Sequence, residues 1–227
     1  MIPLSPRLLC CAAMVQGSYA CDIGTDHALL PIYLVKSGKC TQVLATDIKE
    51  GPLSAAQKGL KRYQAEQHIR LCLSDGLERV SPQGITDVIA AGMGGETIRD
   101  ILAAPCAEWL KRGTNLVLQP MTRSELLRKW LAEHGFAVTK ETSVKDTHLY
   151  TVMQAHYTGE CRTLTEPQSI VGGLVRTEPL TRIYLATRLE QLHTKAVGLE
   201  QGGNSEEAAE IKAVIQAVNG WMQGEKL

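Results

Sequence analysis

Aromatic residues are scarce in this sequence of 227 residues: they make up 4% of it and include a single phenylalanine, Phe136. The hydrophobic share is nevertheless 44%, an ordinary value for a globular protein. A core built mainly from Leu, Ile, Val and Ala suits a parallel sheet covered by helices better than a β-sandwich.

An excess of charge is also missing, because 24 basic side chains are balanced by 24 acidic ones. No global field would attract a polyanion, so a nucleic-acid site must come from local clusters of basic residues. No apolar run approaches the roughly 18 residues that a membrane span needs, so we expect no membrane association.

The seven cysteines contain no Cys-x-x-Cys pair and no zinc-ligand spacing, so we expect no metal and mostly buried, reduced thiols. The apolar stretch 8–15 could pass for a signal peptide with a cleavage site before Cys21. However, Cys21 runs directly into a glycine turn that needs its strand intact. We therefore expect a cytoplasmic protein.

Helix and strand patterns alternate up to about residue 155 and predict a doubly wound α/β sheet. It has five β-α units and a closing antiparallel pair. We place the first domain at residues 1–158 and a helical domain at 159–227. The predicted strands are 19–23, 42–47, 69–73, 86–91, 114–118, 136–139 and 150–155.

The C-terminal segment has two apolar heptad patterns separated by Gly202-Gly203, which predict a coiled-coil-like hairpin of two antiparallel helices. Asn204 and Glu207 resemble a capping box at the start of the second helix. Packing or dimerisation and RNA contact remain equally open as its role. The two patterns are Leu185, Leu189, Leu192, Ala196, Leu199 and Ala208, Ile211, Ile215, Val218, Met222.

The turn after the first predicted strand, 22–28, differs from a dinucleotide-binding G-x-G-x-x-G pattern. Counted from Gly24, that pattern needs glycine where Asp26 and Leu29 stand. A pyrophosphate at the following helix start would be repelled by the Asp26 carboxylate. S-adenosylmethionine carries an ammonium, a sulfonium and no phosphate, so this turn favours it over NAD or ATP.

Carboxylates stand at the ends of three successive strands, at Asp22, Asp47 and Asp75. Asp47 is placed to accept hydrogen bonds from ribose hydroxyls, and Asp75-Gly76 to meet an adenine ring and its amino group. We therefore predict a binding site for the S-adenosylmethionine cofactor. Its predicted residues are Asp22, Gly24, Asp26, His27, Asp47, Ile48, Asp75, Gly76, Gly92 and Met93.

The segment 91–95 after the fourth strand is interpreted as a turn whose three glycines let a flat base approach. Many amino-methyltransferases have an Asn-Pro-Pro-Tyr type motif there. Its absence from this chain makes methylation of an exocyclic amine less favoured. The predicted acceptor-base pocket consists of Gly94, Gly95, Gln119 and Pro120.

These blocks, in this order, resemble the bacterial tRNA (adenine-22-N1)-methyltransferases of the TrmK family over essentially the whole chain. The matching segments are 22–32, 47–56, 74–77, 91–95 and 118–120. The resemblance implies a class I methyltransferase domain with a C-terminal helix pair, and methyl transfer from S-adenosylmethionine to N1 of a tRNA adenine. The family usually has Asn where this chain has Met121 and Lys49.

For this reaction we expect Asp26 to contribute catalytic electrostatic stabilisation, and tRNA to meet local basic side chains. Alternatives are a small-molecule methyltransferase, whose hairpin only dimerises, and a non-catalytic cofactor-binding regulator; a nucleotide-dependent oxidoreductase is disfavoured by Asp26. The candidate RNA contacts are Arg7, Arg123, Arg128, Lys129, Arg176, Arg182, Arg188 and Lys195.

Overall fold

The computed structural model describes residues 2–227, and its strands form one seven-stranded sheet. The strands are β1 (Tyr19–Ile23), β2 (Gln42–Asp47), β3 (Ile69–Leu73), β4 (Asp87–Gly94), β5 (Asn115–Thr122), β6 (Phe136–Lys145) and β7 (Leu149–Tyr157). Their order is β3-β2-β1-β4-β5-β7-β6. β1 to β5 are parallel, and β7 runs antiparallel to both β5 and β6. The predicted doubly wound α/β sheet with a terminal antiparallel pair is confirmed.

Eight α-helices and one 3-10 helix, Pro105–Arg112, are distributed along the described residues. Pro31 lies in the first turn of the second helix, where proline is tolerated. The α-helices are α1 (Pro6–Met14), α2 (Leu29–Lys36), α3 (Glu50–Tyr63), α4 (Gly95–Ala103), α5 (Ser124–Glu133), α6 (Glu166–Val171), α7 (Pro179–Gln201) and α8 (Ser205–Gln223).

Both faces of the sheet are covered, because neighbouring strand residues point to opposite sides. Val117 packs in the cluster formed with α1, α2 and α3, whereas Leu116 packs in the cluster formed with α4, the 3-10 helix and α5. This two-sided burial explains why the strands are nearly continuous apolar runs.

Of the seven cysteines, all free thiols, only Cys161 is exposed.

The amino-terminal edge of the sheet is fixed by the buried carboxylate of Asp87. It accepts hydrogen bonds from the backbone amides of Gln16 and Gly17, each at 2.8 Å, and from the side chains of Thr86 and Asn115. Four donors compensate for the burial of this charge. Asp87 is thus a structural residue that ties the loop after α1 to the centre of the sheet.

The helices α7 and α8 pack against each other along their apolar sides, as the heptad patterns predict. Two ion pairs link them, Lys195 to Glu207 at 3.1 Å and Lys212 to Glu200 at 2.5 Å. The predicted capping box at Asn204 is wrong, since its side chain caps no backbone amide. A capping box does form at the start of α6, a helix that lacks a visible periodic pattern because it is only six residues long.

The fourth and fifth strands are longer than predicted. β4 continues through Gly92 to Gly94, so the expected turn at 91–95 is wrong. Its pairing with β5 shifts register on either side of Met93, which pairs with Pro120. This irregular ladder accommodates a proline that a regular central strand would exclude.

No helix within residues 2–227 combines the length and the apolar character needed to cross a membrane.

Candidate active site

Strand order reverses between β1 and β4, whose neighbours continue in opposite directions across the sheet. In doubly wound sheets, ligands bind beyond the carboxyl ends of the strands at this switch point. Asp22 and Gly24 lie at the end of β1, and Gly92 and Met93 at the end of β4. The topology therefore places four of the predicted cofactor residues at one edge.

The turn after β1 has an unusual backbone. Gly24 has φ +71°, and a Cβ there would overlap the methyl group of Met93. His27 and Ala28 also have positive φ values, 57° and 53°. Left-handed non-glycine residues are uncommon and cluster at functional sites. Hydrogen bonding of the Thr25 amide to the Thr46 carbonyl, at 2.8 Å, holds this turn against β2.

Asp22 is buried, with only 6% of its surface exposed. Burial raises the pKa of its carboxyl from 3.8 to about 7, and the carboxylate of Asp47 contributes to the rise. Unlike Asp87, it is not surrounded by a set of amide donors within residues 2–227. The nearby Thr25 hydroxyl interacts with this carboxylate and partly lowers its pKa. In the described part of the chain, the buried Thr46 hydroxyl at the same edge lacks a hydrogen-bond partner. These polar groups fit a cationic, hydrogen-bonding ligand.

The ends of β2 and β3 supply further polar groups. Asp47 accepts a 2.8 Å hydrogen bond from the Lys49 amide, and its carbonyl accepts one from the Ser74 amide. Between these polar groups, Ile48 exposes 59% of its surface, which suits contact with an apolar face of a ligand. Asp75 is exposed. The structure thus brings the predicted acidic strand ends to one edge.

Gly76 follows Asp75 with φ +49°, and its Cα faces Ile101 of α4, so a Cβ would be only 3.1 Å from that side chain. The glycine is therefore required by packing against α4 as well as by its conformation. Asp26 and His27 are exposed, by 80% and 60% of their side chains, and the Asp26 carboxylate lies 3.3 Å from the imidazole Nε2 of His27. They form the outer rim of the turn.

The end of β4 is held by Gln119, which is fully buried. Its Oε1 accepts hydrogen bonds from the Gly92 amide at 3.1 Å and from Arg7 at 2.9 Å, and its Nε2 donates to the Pro120 carbonyl. Arg7 also lies 3.6 Å from Asp146. Gln119, predicted to contact the acceptor base, thus has its carbonyl oxygen engaged within the protein and supports the strand ends.

Gly94 and Gly95 lie where β4 passes into α4. A Cβ on Gly94 would make ordinary contacts with threonine side chains, which leaves this position open. A Cβ on Gly95 would overlap the Arg123 carbonyl and lie 2.8 Å from that of Thr122. The second glycine is therefore explained by the close approach of two backbones rather than by access for a base.

Most of the basic residues predicted to contact RNA have partners within the protein. The prediction for Arg128 is wrong, because it is only 2% exposed and pairs with the buried Glu141. Arg7 lies in the wall of the site described above, a role that no sequence spacing indicates. The remaining pairs are Arg123–Glu96, Lys129–Glu166, Arg188–Glu125 and Lys195–Glu207, while Arg176 and Arg182 donate to the carbonyls of Trp221 and Met222.

A groove of about 990 Å³ separates the end of β5 and the start of α5 from the helices α7 and α8. Met121 and Thr122, which continue from the predicted acceptor pocket, are among the residues that line it. The basic residues Arg123, Arg188 and Lys195 line it together with their carboxylate partners and with Glu166 and Glu210, so that carboxylates outnumber basic groups there. Three of the predicted RNA contacts are therefore brought together beside the acceptor edge.

No group of three or more His, Cys, Asp or Glu side chains in residues 2–227 is placed to hold a metal ion.

Residues 4–153 match the model of a family described as "Methyltransferase domain". The chain is 33% identical over 156 residues to the tRNA (adenine(22)-N(1))-methyltransferase of Bacillus subtilis, covering 68% of this chain and 65% of that protein. The matched segment thus spans slightly less than two thirds of this relative.

Solved structures match over nearly the full length. The crystal structure of the B. subtilis m1A22 tRNA methyltransferase TrmK has a TM-score of 0.84 at 25% identity, covering 96% of this chain and 99% of that one. The structure of M. capricolum TrmK with S-adenosyl-homocysteine has a TM-score of 0.80 at 26% identity, covering 97% and 98%. With the switch-point site and the helix pair in place, the chain belongs to the family described as "Methyltransferase domain".

Proposed function

We propose that this protein is an S-adenosylmethionine-dependent methyltransferase that modifies N1 of an adenine in tRNA, at position 22. The observation that carries the proposal is the buried, amide-poor carboxylate of Asp22 beside the glycine turn at the switch point. The relatives support the acceptor, since the B. subtilis protein is named for adenine 22 of tRNA.

The residues at this edge fit the cofactor, which supplies an electrophilic methyl group when bound. Asp22 offers a carboxylate to an ammonium group, and the unpartnered Thr46 hydroxyl offers a further hydrogen bond. Asp47 is placed for ribose hydroxyls, and Ile48 and Asp75 for the faces and edge of an adenine ring. Gly24 lets the Met93 methyl group lie against the backbone of this turn.

The chain's own contribution to the reaction is positioning. N1 of adenine has a free lone pair at neutral pH, so no protein base has to remove a proton before transfer. The protein must extrude the base, orient N1 and tolerate the positive charge of the product. Gln119 and Arg7 fix the Gly92 backbone at this edge, and the exposed carboxylate of Asp26 would stabilise positive charge on its rim.

The groove beside α7 and α8 is the proposed path of the tRNA. It opens from Met121 and Thr122, next to the acceptor edge, and its basic side chains are available if their carboxylate partners exchange for phosphates. The proposed RNA contacts are therefore Arg123, Arg188 and Lys195. On this proposal residues 1–158 carry the cofactor, residues 159–227 contact the RNA, and the protein acts in the cytoplasm.

The test is methyl transfer from labelled S-adenosylmethionine to a tRNA transcript with adenine at position 22, compared with the same transcript carrying guanine there. We expect label only in the first, and a reverse-transcription stop at position 22, because a methyl on N1 blocks the pairing edge. Label that appears instead in a metabolite extract would favour the small-molecule methyltransferase. Cofactor binding without transfer to any acceptor would favour the regulator.

A further inference from the structure

A buried ion pair lies between the sheet domain and the C-terminal helices. Arg128 of α5 contacts Glu141 of β6 through two nitrogens, at 2.6 and 3.0 Å from the same carboxylate oxygen, and both side chains are almost fully buried. Its remaining nitrogen donates to the carbonyls of Ser169 and Ile170, at 2.7 and 3.2 Å. The pair therefore joins α5 and β6 to α6.

The loop after α6 closes directly over this pair. The Gly173 amide donates to Glu141 at 2.9 Å. Gly172 has φ +59°, and a Cβ on it would overlap both Arg128 and Glu141. Only glycine therefore lets the backbone that leads into α7 pass at this point. The direction in which α7 leaves the sheet domain is set by contact with the ion pair.

A second set of contacts extends from the pair to the acceptor edge. Arg128 lies 3.4 Å from the Ser124 hydroxyl, which hydrogen-bonds the buried Tyr184 hydroxyl of α7 at 3.0 Å. One turn further along α7, Arg188 pairs with Glu125 at 3.1 Å. Ser124 and Glu125 begin α5 directly after the segment that borders the groove. The first turn of α5 thus holds α7 at the groove.

Burying such a pair is costly, and apolar residues of similar size often give equal or greater stability. What charged groups add is a unique arrangement, since they tolerate few alternative packings. Here the ion pair fixes the distance between the acceptor edge and α7. These two elements form the two walls of the groove.

We propose that Arg128, Glu141, Ser124 and Tyr184 are positioning residues for the tRNA: they set the width of the groove and thereby the fit of the acceptor base. This inference rests on the proposed function. It assigns to the buried pair an effect on RNA binding and turnover that is separate from cofactor binding, because none of the four residues lies at the Asp22 and Asp47 edge.

The test combines a charge-free double variant, Arg128→Met with Glu141→Leu, and the milder variant Tyr184→Phe. Wild type and variants are compared in thermal unfolding, in calorimetric affinity for S-adenosylhomocysteine, and in kcat and KM for tRNA. We expect unchanged cofactor affinity in all, a rise in tRNA KM or loss of kcat of about tenfold or more in the double variant, and about a fivefold effect in Tyr184→Phe.

A folded double variant with the tRNA kinetics of the wild type would overturn the inference. Should the double variant not fold, Tyr184→Phe decides: unchanged tRNA kinetics in that variant overturn the inference as well. A parallel loss of cofactor affinity would also contradict it, because the pair would then act on the whole domain. Failure of the wild type to methylate tRNA is a different result and refutes the proposed function instead.

Discussion

The side chain of Met93, at the end of β4, lies so close to Gly24, in the turn after β1, that no Cβ could be placed there without overlap. The strands on the two sides of the switch point are therefore in direct contact through one methyl group and one glycine. Because the Met93 methyl group ends a flexible side chain, the main constraint on a side chain at position 24 is the left-handed backbone, with φ +71°.

Gly24→Ala should weaken S-adenosylhomocysteine binding by tenfold or more, on the order of 1.4 kcal/mol. The methyl group meets Met93, and φ +71° is unfavourable for alanine. Calorimetric titration measures this. The matched control is Gly198→Ala on the exposed side of α7, where a Cβ meets nothing. That change should leave binding intact and stabilise the helix by about 0.5–1 kcal/mol. Equal binding by the two variants would contradict the assigned site.

Cofactor affinity should depend on pH through Asp22. Its pKa is raised to about 7, so below that pH the carboxyl is mostly protonated and must lose a proton to bind an ammonium group. The dissociation constant for S-adenosylhomocysteine should therefore fall as the pH rises from about 5.5 through 7, where the carboxyl is half ionised, and level off about one pH unit higher. In Asp22→Asn, affinity should be low and this dependence absent. A flat profile in the wild type would be incompatible with the account.

The same raised pKa has a consequence for the stability of the unliganded protein. The folded state binds a proton on Asp22 more tightly than the unfolded chain does. Its stabilising contribution is complete below the ordinary carboxyl pKa of 3.8 and is lost as the pH rises through about 7. Over this range the cofactor should raise the melting temperature increasingly, and Asp22→Asn should remove the pH dependence that this group causes.

Asp26→Asn tests the proposed electrostatic role of the rim. The side chain is 80% exposed, so its attraction for a cation is screened by water and amounts to about 1 kcal/mol at 4 Å. We expect kcat at saturating cofactor to fall about two- to fivefold. Glu108→Gln, which removes an exposed carboxylate paired with Lys111 on the 3-10 helix, serves as control. Normal turnover in Asp26→Asn would remove Asp26 from the catalytic machinery.

Carboxylates that hold the basic side chains of the groove should compete with tRNA phosphates. Glu207→Gln frees Lys195 within the groove and should tighten tRNA binding severalfold and steepen its salt dependence. The matched control is Glu200→Gln, which frees Lys212 in an equivalent pair between α7 and α8 at a position that does not line the groove. Equal effects of the two variants would place the tRNA elsewhere.

The sequence predicted the sheet and its carboxyl edge because short apolar runs and the glycine turns that follow them are local signals. Asp22, Asp47 and Asp75 each follow an apolar strand, and parallel strands bring such ends together. The bulge at Met93 could not be foreseen, since it depends on pairing with Pro120 in another strand. Arg128 was misassigned for a similar reason: its partner Glu141 lies 13 residues away on β6, and nothing local indicates that both are buried.

Local sequence patterns could not predict the structural role of Gln119 either. Its partners, Gly92 and Arg7, come from β4 and α1, and only the assembled edge shows that its carbonyl oxygen is occupied. The glycines were predicted as a group, but their reasons differ. Gly95 makes room for the backbone of β5, whereas Gly94 stays open.

On the proposed function, this edge binds an adenosine compound that carries an ammonium group and no phosphate. Side-by-side calorimetric titrations of the purified protein with S-adenosylhomocysteine, ATP and NAD test it most directly. We predict saturable binding of S-adenosylhomocysteine, reduced in Asp22→Asn, and no comparable binding of the two phosphate-containing ligands. Tight binding of ATP or NAD together with indifference to S-adenosylhomocysteine would contradict it.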